Sequence, residues 1–300
     1  MRHLRLLLLL ALAASLTGCS IKQIALNAVA DELSGGTGGT FSQDEDLQFV
    51  GESLPFALKL MEGINGGVPE HVGMKLTLAS GFVSYGVVFV EWPGEQQKYD
   101  DFDAYRAAQK RAGGFYRRAA NYALDALDLR HPDFRAQYAA DADAVLAKMT
   151  AEDVPYLFWL AAAQISQAST DLEDPEMFGL FAVAASAMKR CFELDPDWED
   201  GAIHEILISL EPSLPMPGGK ERSKAHYDRA REIQGDRKAG PHVSYATAVA
   251  LKNQDKELFV ELLDKALSVD LEAHPDDRLA NDYAQQKARF LLEHLDDLFL

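Results

Sequence analysis

The sequence predicts an all-α fold, an irregular array of helical hairpins. Three observations carry that expectation. In the stretch from Phe181 to Trp198, Ala184, Met188 and Cys191 share one helical face, and Asp195-Pro196-Asp197 stops the helix because proline clashes with the preceding turn. Small, bulky and small residues at spacings of four and three, then a proline, are the frame of the second helix of a tetratricopeptide repeat, where two helices approach closely. The frame returns at Ser223, Tyr227 and Ala230, at Phe259, Leu263 and Ala266, and more weakly at Ala119, Ala123 and Ala126. Its last small residue falls at 126, 191, 230 and 266. The final two steps, 39 and 36 residues, exceed the usual repeat of about 34, so the array is irregular. Finally, a lone hairpin cannot bury its apolar face, so the copies must stack.

The N-terminus predicts a location. Arg2, His3 and Arg5 precede a Leu/Ala run from Leu6 to Leu16, which is too short to cross a bilayer and reads as the apolar core of a secretory signal. Leu16-Thr17-Gly18-Cys19 closes it and resembles the bacterial lipobox, whose cysteine receives a diacylglycerol and becomes the new N-terminus. Residues 1–18 are thus expected to be a lipoprotein signal peptide, Cys19 the lipidation site, and 19–42 an anchored segment with a linker. Residues 43–300 are the helical-repeat domain. Ser20, where an aspartate would favour inner-membrane retention, leans towards the outer membrane. Loss of residues 1–18 moves the formal charge from -18 to -20. So acidic a surface repels nucleic acid and anionic headgroups. With Cys19 lipidated only Cys191 remains, which excludes an internal disulfide and places that thiol at a packing position.

From the N-terminus onward, Ile21 to Leu33 is a short amphipathic segment. Ser34 to Thr40 reads as a flexible Gly/Ser/Thr link, without the lysine and helix start of a phosphate-binding loop. Asp44-Glu45-Asp46 cap a helix over Leu47 to Ile64, with Pro55 as a kink or break. Val72 to Trp92 is apolar nearly throughout and predicts a buried helix with close backbone contacts at Gly81 and Gly86. Asp100 to Leu129 is helical with a break at Gly113-Gly114, and Asp133 to Ala147 is short and acidic. Val154 to Ser169 forms a helix rich in aromatics and alanine, and Gly201 to Leu210 another. The Pro212 to Gly219 loop, with three prolines, stretches the repeat spacing. Val243 to Leu251 and Leu258 to Val269 make a hairpin, and Arg278 to Leu298 closes the array.

Catalytic constellations are missing from the sequence. His204-Glu205 would need a second histidine at 208, where isoleucine stands, so the helical zinc motif fails. His226 and His242 have no metal-ligand spacing, and neither a Gly-x-Ser-x-Gly elbow nor a cysteine protease signature occurs. The expectation is a binding or scaffold protein with no enzyme activity, no cofactor and no metal.

Several longer stretches identify a family. LSGGTGGTF at 33–41, SLPFALKLMEGI at 53–64, ASGFVSYGVVFVE at 79–91, FELDPDWEDGAIHE at 192–205 and PMPGGKERSKAHYDRA at 215–230 carry the resemblance, with GPHVSYATAVALKNQDKELFVELLDKAL at 240–267 and RLANDYAQQKARFLLEHLDDLF at 278–299. The chain resembles the TatT lipoproteins, T-components of tripartite ATP-independent periplasmic (TRAP) transporter systems. The resemblance implies tetratricopeptide-like hairpins around a central cavity, a homotrimer, and a partner in the periplasmic TRAP solute-binding protein that delivers small organic ligands to a permease. It implies a protein anchored by lipid at the periplasmic face of the envelope. Only the lipobox cysteine transfers residue by residue, to Cys19. For the cavity lining, Tyr85, His204, Tyr245 and Asn281 are singled out as polar or aromatic residues within apolar or small-residue helices. The alternative function is an outer-membrane repeat scaffold that assembles an envelope complex without a ligand.

Overall fold

A computed structural model describes residues 23–35, 38–235 and 237–299. The signal-peptide reading and Cys19 lie outside these residues. Among the described residues the structure is helical with no strand. The principal helices are α1 (23–35), α2 (Leu47–Gly67), α3 (Val72–Glu95), α4 (Phe102–Arg130), α5 (Val154–Ser169), α6 (Pro175–Leu194), α7 (Trp198–Leu210), α8 (Gly219–Gln234), α9 (Gly240–Leu251), α10 (Lys256–Leu267) and α11 (Arg278–Glu293).

Helix starts are set by side chains that satisfy the otherwise unpaired first amides. Asp46 accepts from Phe49 N at 3.0 Å, Asp101 from Ala104 N at 2.9 Å, and Asp255 from Leu258 N at 3.1 Å. His71 caps α3 through Nδ1, 2.9 Å from Met74 N, while its Nε2 lies 3.0 Å from Asp31 and pins α1 to the same corner. At Pro196 the chain leaves α6 and passes through three left-handed residues, Glu199, Asp200 and Gly201, with φ of 48°, 54° and 81°. Only the last of these is a glycine, so the corner carries backbone strain.

The structure corrects one expectation and, at a second place, decides between two alternatives. Helix α4 runs unbroken through Gly113-Gly114, because Gly113 is where Thr170 packs, its Oγ1 3.2 Å from the place a Cβ would take, and buried Ala112 and Tyr116 hold the helix on either side. Helix α2 continues through Pro55 rather than ending there. The link at 34–40 is helical at its described ends, with Ser34 inside α1 and Gly38–Ser42 forming a short turn of helix.

Neighbouring helices pack as hairpins: α3 with α4, α4 with α5, α5 with α6, α7 with α8, and α10 with both α9 and α11. All four small-bulky-small sets, including Ala184, Met188 and Cys191, are buried at these contacts. Helix α3 is long and apolar enough to cross a membrane by length and composition, yet it packs as a core helix against α2, α4 and α5, burying Met74, Leu78, Phe82 and Val83. One apolar core extends from α1 to α7, and a second runs from Ile208 of α7 to the end. Helix α7 serves both, turning Ile203 and Leu207 to the first and Ile208 to the second.

The array closes on itself. Trp92 near the end of α3 meets Tyr283 and Phe290 of α11 edge-on, with ring centroids 6.1 and 5.3 Å apart, and Lys287 bonds Glu95 at 2.8 Å. Arg278 reaches Glu45 at 3.0 Å, and Tyr99 stacks on His294. The final turn of α3 has little room to spare beside α4, since a Cβ on Gly94 would collide with the Ala108 methyl, which is fixed to its backbone and cannot swing away. Gly94→Ala is expected to cost about 1–3 kcal/mol in urea denaturation, whereas Gly114→Ala, in open space on the same helix pair, should gain about 0.5–1 kcal/mol.

Candidate functional site

Closure shapes a half-open cavity of about 780 Å³ whose walls come from both ends of the chain. Helix α2 contributes Val50, Leu54, Leu58 and Met61, which recur every three or four residues along one face. Opposite them α3 turns Thr77, Ser80, Gly81 and Ser84 inward, then Val88 and Phe89. Two of these hydroxyls are already used: Thr77 donates to Gly73 O and Ser80 to Thr77 O, both at 3.1 Å, so that part of the wall presents mostly carbon. Ser84 stays exposed to the space. Trp159 of α5, Trp198 and Glu199 at the strained corner, Leu279 and Tyr283 of α11, and Ser34, Phe41 and Ser42 near the N-terminal end add to the lining.

Just past Phe89 the wall gives way to a buried polar cluster. Between Val88 and Trp92 the helix widens into a π segment, Val87–Glu91, with Trp92 N bonded to Val87 O. The wider turn re-aims the side chains beyond it. Here Glu91 is brought against α4, where the Tyr116 hydroxyl donates to it and the Gln109 amide also bonds it. Burial raises the Glu91 pKa and Glu95 adds to the rise, while Tyr116, Lys287 and Gln109 oppose it. Burial works against the Lys287 ammonium, but Tyr283, Glu95 and Glu91 outweigh it and raise its pKa. The ammonium also lies over the Trp92 ring, 5.5 Å from its centre. Gln109 is buried, and its Oε1 has no hydrogen-bond partner among the described residues.

The residues singled out from the sequence occupy packed positions. Tyr85 is buried edge-on to Phe115 at 5.0 Å. Tyr245 stacks on Tyr227 at 4.6 Å. Asn281 accepts from Ala239 N and donates to Arg237 O, both at 2.8 Å, locking α11 to the start of α9. His204 Nδ1 lies 2.9 Å from His226 Nδ1, with the edge of Phe192 against both rings. Burial, then the neighbouring His204, pushes the His226 pKa down to about 4, so one proton between the facing nitrogens suffices. The four are not brought together. Tyr85 and Asn281 are chain neighbours of the lining residues Ser84 and Ala280. No group of three or more metal-ligating side chains occurs among the described residues. The cavity face of α3 did leave a signal in the sequence: Thr77, Ser80, Gly81 and Ser84 repeat at helical spacing within an otherwise apolar run.

The profile described as TRAP transporter T-component matches residues 43–299. The chain belongs to the TRAP transporter T-component family. This is a transport accessory family, and TRAP transport components are associated with the bacterial envelope. The T-component is also similar to a protein of Treponema pallidum (strain Nichols), carrying only the name uncharacterized protein, with 27% identity over 302 aligned residues and 94% of each chain covered.

The raised Glu91 pKa has a stability consequence with a defined sign. A carboxyl whose pKa is higher in the folded state stabilises fully below its unfolded value and loses that contribution as pH rises through the folded value. Glu91→Gln keeps an acceptor for Tyr116 and removes the buried charge. The stability of the variant relative to the parent should therefore increase as pH rises above about 4.5, as read by denaturant melts of both proteins at each pH.

Proposed function

We propose that this T-component is a lipid-anchored accessory protein at the periplasmic face of the envelope, attached through Cys19, with the outer membrane favoured by Ser20. It docks the periplasmic TRAP solute-binding protein as a homotrimer and holds a small organic ligand within its ring. The observation that carries this reading is the cavity itself. About 780 Å³ lies within the range of small-molecule sites, and its walls are mostly carbon, with the hydroxyls of Ser42, Ser84 and Tyr283 and the carboxyl of Glu199 among them. Such a space suits an apolar molecule or one with a single polar head. The buried small-bulky-small frames support cryptic tetratricopeptide hairpins, whose stacked surfaces serve partner proteins in repeat arrays.

Two measurements test the two halves of the proposal. A soluble form lacking residues 1–18, with Cys19→Ser, should retain a TRAP-type solute receptor from periplasmic extract in near-stoichiometric amount. Recovery of outer-membrane assembly factors alone would favour the scaffold alternative. For the ligand, Ser84→Trp places an indole in the open part of the cavity. It should weaken binding of a fluorescent apolar probe by about tenfold or more, a loss of about 1.4 kcal/mol, with the melting temperature nearly unchanged. Equal probe binding by parent and variant would remove the cavity from the reading.

A further inference from the structure

Helix α2 has two apolar faces. The inner one, Val50, Leu54, Leu58 and Met61, lines the cavity. The outer one consists of Phe49, Phe56 and Leu60, exposed by 60%, 75% and 51%, together with Gly63 and Gly67. At 100° per residue these five fall within roughly 60° of arc, so they form one stripe along the helix. None of them is charged. On a chain of net charge -18, three large apolar side chains in line with no charge among them are an exception to the acidic surface.

The position of the N-terminus identifies what covers this stripe. Gln23, the first described residue of α1, donates through Nε2 to Gly67 O at 3.1 Å, and the Leu26 side chain lies 2.9 Å from where a Gly67 Cβ would be. This part of α1 therefore lies at the end of the outer stripe. Cys19 is four residues before Gln23, so whatever the conformation between them the two are at most about 14 Å apart. Ile24, beside that tether, is 66% exposed.

We propose that the outer face of α2 lies on the lipid bilayer into which Cys19 is anchored. This rests on the reading of Cys19 as lipidated. The acyl chains fix the bilayer within about 14 Å of Gln23, whose side chain reaches one end of the stripe, and the stripe then runs on for about 27 Å from Gly67 to Phe49. Laid in the interface, Phe49, Phe56, Leu60 and Ile24 insert, while exposed Glu52, at the edge of the stripe and bonded to Gln48, stays among the headgroups. The acidic surface elsewhere disfavours anionic headgroups, so the contact is apolar and tolerates zwitterionic lipid. In this orientation α2 is a wall one helix thick, with lipid on one side and the cavity on the other.

The test uses the full lipidated protein, produced with its own leader and reconstituted into phosphatidylcholine vesicles that contain a lipid spin-labelled near the headgroup. Phe56→Cys carries a fluorophore, and Phe178→Cys, exposed on α6, is the reference. Cys191 is buried, and burial pushes its pKa up to about 12, so it does not compete for the label. Quenching at position 56 several-fold stronger than at 178 is expected, and it should fall when Phe49→Ser and Leu60→Gln are added. Equal quenching at both sites on floating vesicles would overturn the proposal while leaving the anchor intact. So would a position 56 shielded from lipid but cross-linked to a second copy or to the solute receptor. Failure of the protein to float with vesicles would overturn both the anchor and this orientation.

Discussion

The contact of α11 with the end of α3 is the constraint on which the cavity depends. An open stack of hairpins would leave α2 and α3 facing water. Instead, two edge-on aromatic contacts to Trp92, the Lys287–Glu95 pair and the Arg278–Glu45 pair hold the two ends of the chain together. Each aromatic pair contributes about 0.5–1.5 kcal/mol beyond area burial, and an exposed ion pair such as that of Glu45 contributes less than about 1 kcal/mol. The aromatic contacts therefore dominate the closure. Burial of the Trp92 ring adds to these contacts, as do the bonds of Gln43 to Asp276 and of Arg278 to Gln43 O. Much of the rest of the stability comes from hairpin cores that exist whether or not the ring shuts.

Helix α3 reconciles two demands made on one element. Its outer face must pack at interior density against α4 and α5, and buries Met74, Leu78, Phe82 and Val83 there. Its inner face must leave space, and carries Thr77, Ser80, Gly81 and Ser84. Hydroxyls on a cavity wall would be costly if their bonds were unmade, but two of them bond the helix's own carbonyls. The π segment then shifts the register, so that beyond Phe89 the helix turns Glu91 towards α4.

Most of the helices were legible in the sequence because their causes are local. Aspartates at 46, 101, 174 and 255 cap the helices that the apolar spacing predicts, and Pro196 stops α6. The unbroken passage through Gly113 was not legible, because it depends on Thr170, more than fifty residues away. Closure was less legible still, since it is the sum of small rotations between successive hairpins. The residues chosen as polar within apolar helices are found in partnered packing roles, as buried polar groups generally must be. Asn281 and His204 each have a named partner. The cavity wall follows a different pattern, in which small or apolar residues recur on a face that is only partly covered, with Gly81 against Leu58 and Ser84 left open. Periodicity identifies such a face, yet only the three-dimensional arrangement reveals that no neighbour fills it.

Glu91 differs from three other carboxylates, Glu62, Asp153 and Glu211, each of which is paired with a cation. Glu62 is held by Arg118, Tyr122 and Lys59, and its pKa is lowered despite burial. Asp153 accepts from His131, Arg130 and Thr150 and is likewise lowered against burial. Glu211 has Arg222 at 2.5 Å. Each of these carboxylates fastens two segments through a cation of its own. Glu91 instead has the neutral donors Tyr116 and Gln109, while the one ammonium nearby is bonded to Glu95. A carboxyl that serves only to join helices would do better with a dedicated arginine, because an uncompensated buried charge is costly. The sequence instead keeps a carboxyl with a raised pKa two residues beyond Phe89 of the carbon-lined wall, where closure of the ring shields it from water and brings Lys287 near it. The same contact that shapes the cavity therefore also places the Lys287 ammonium beside this carboxyl, where it opposes the rise in pKa that burial causes.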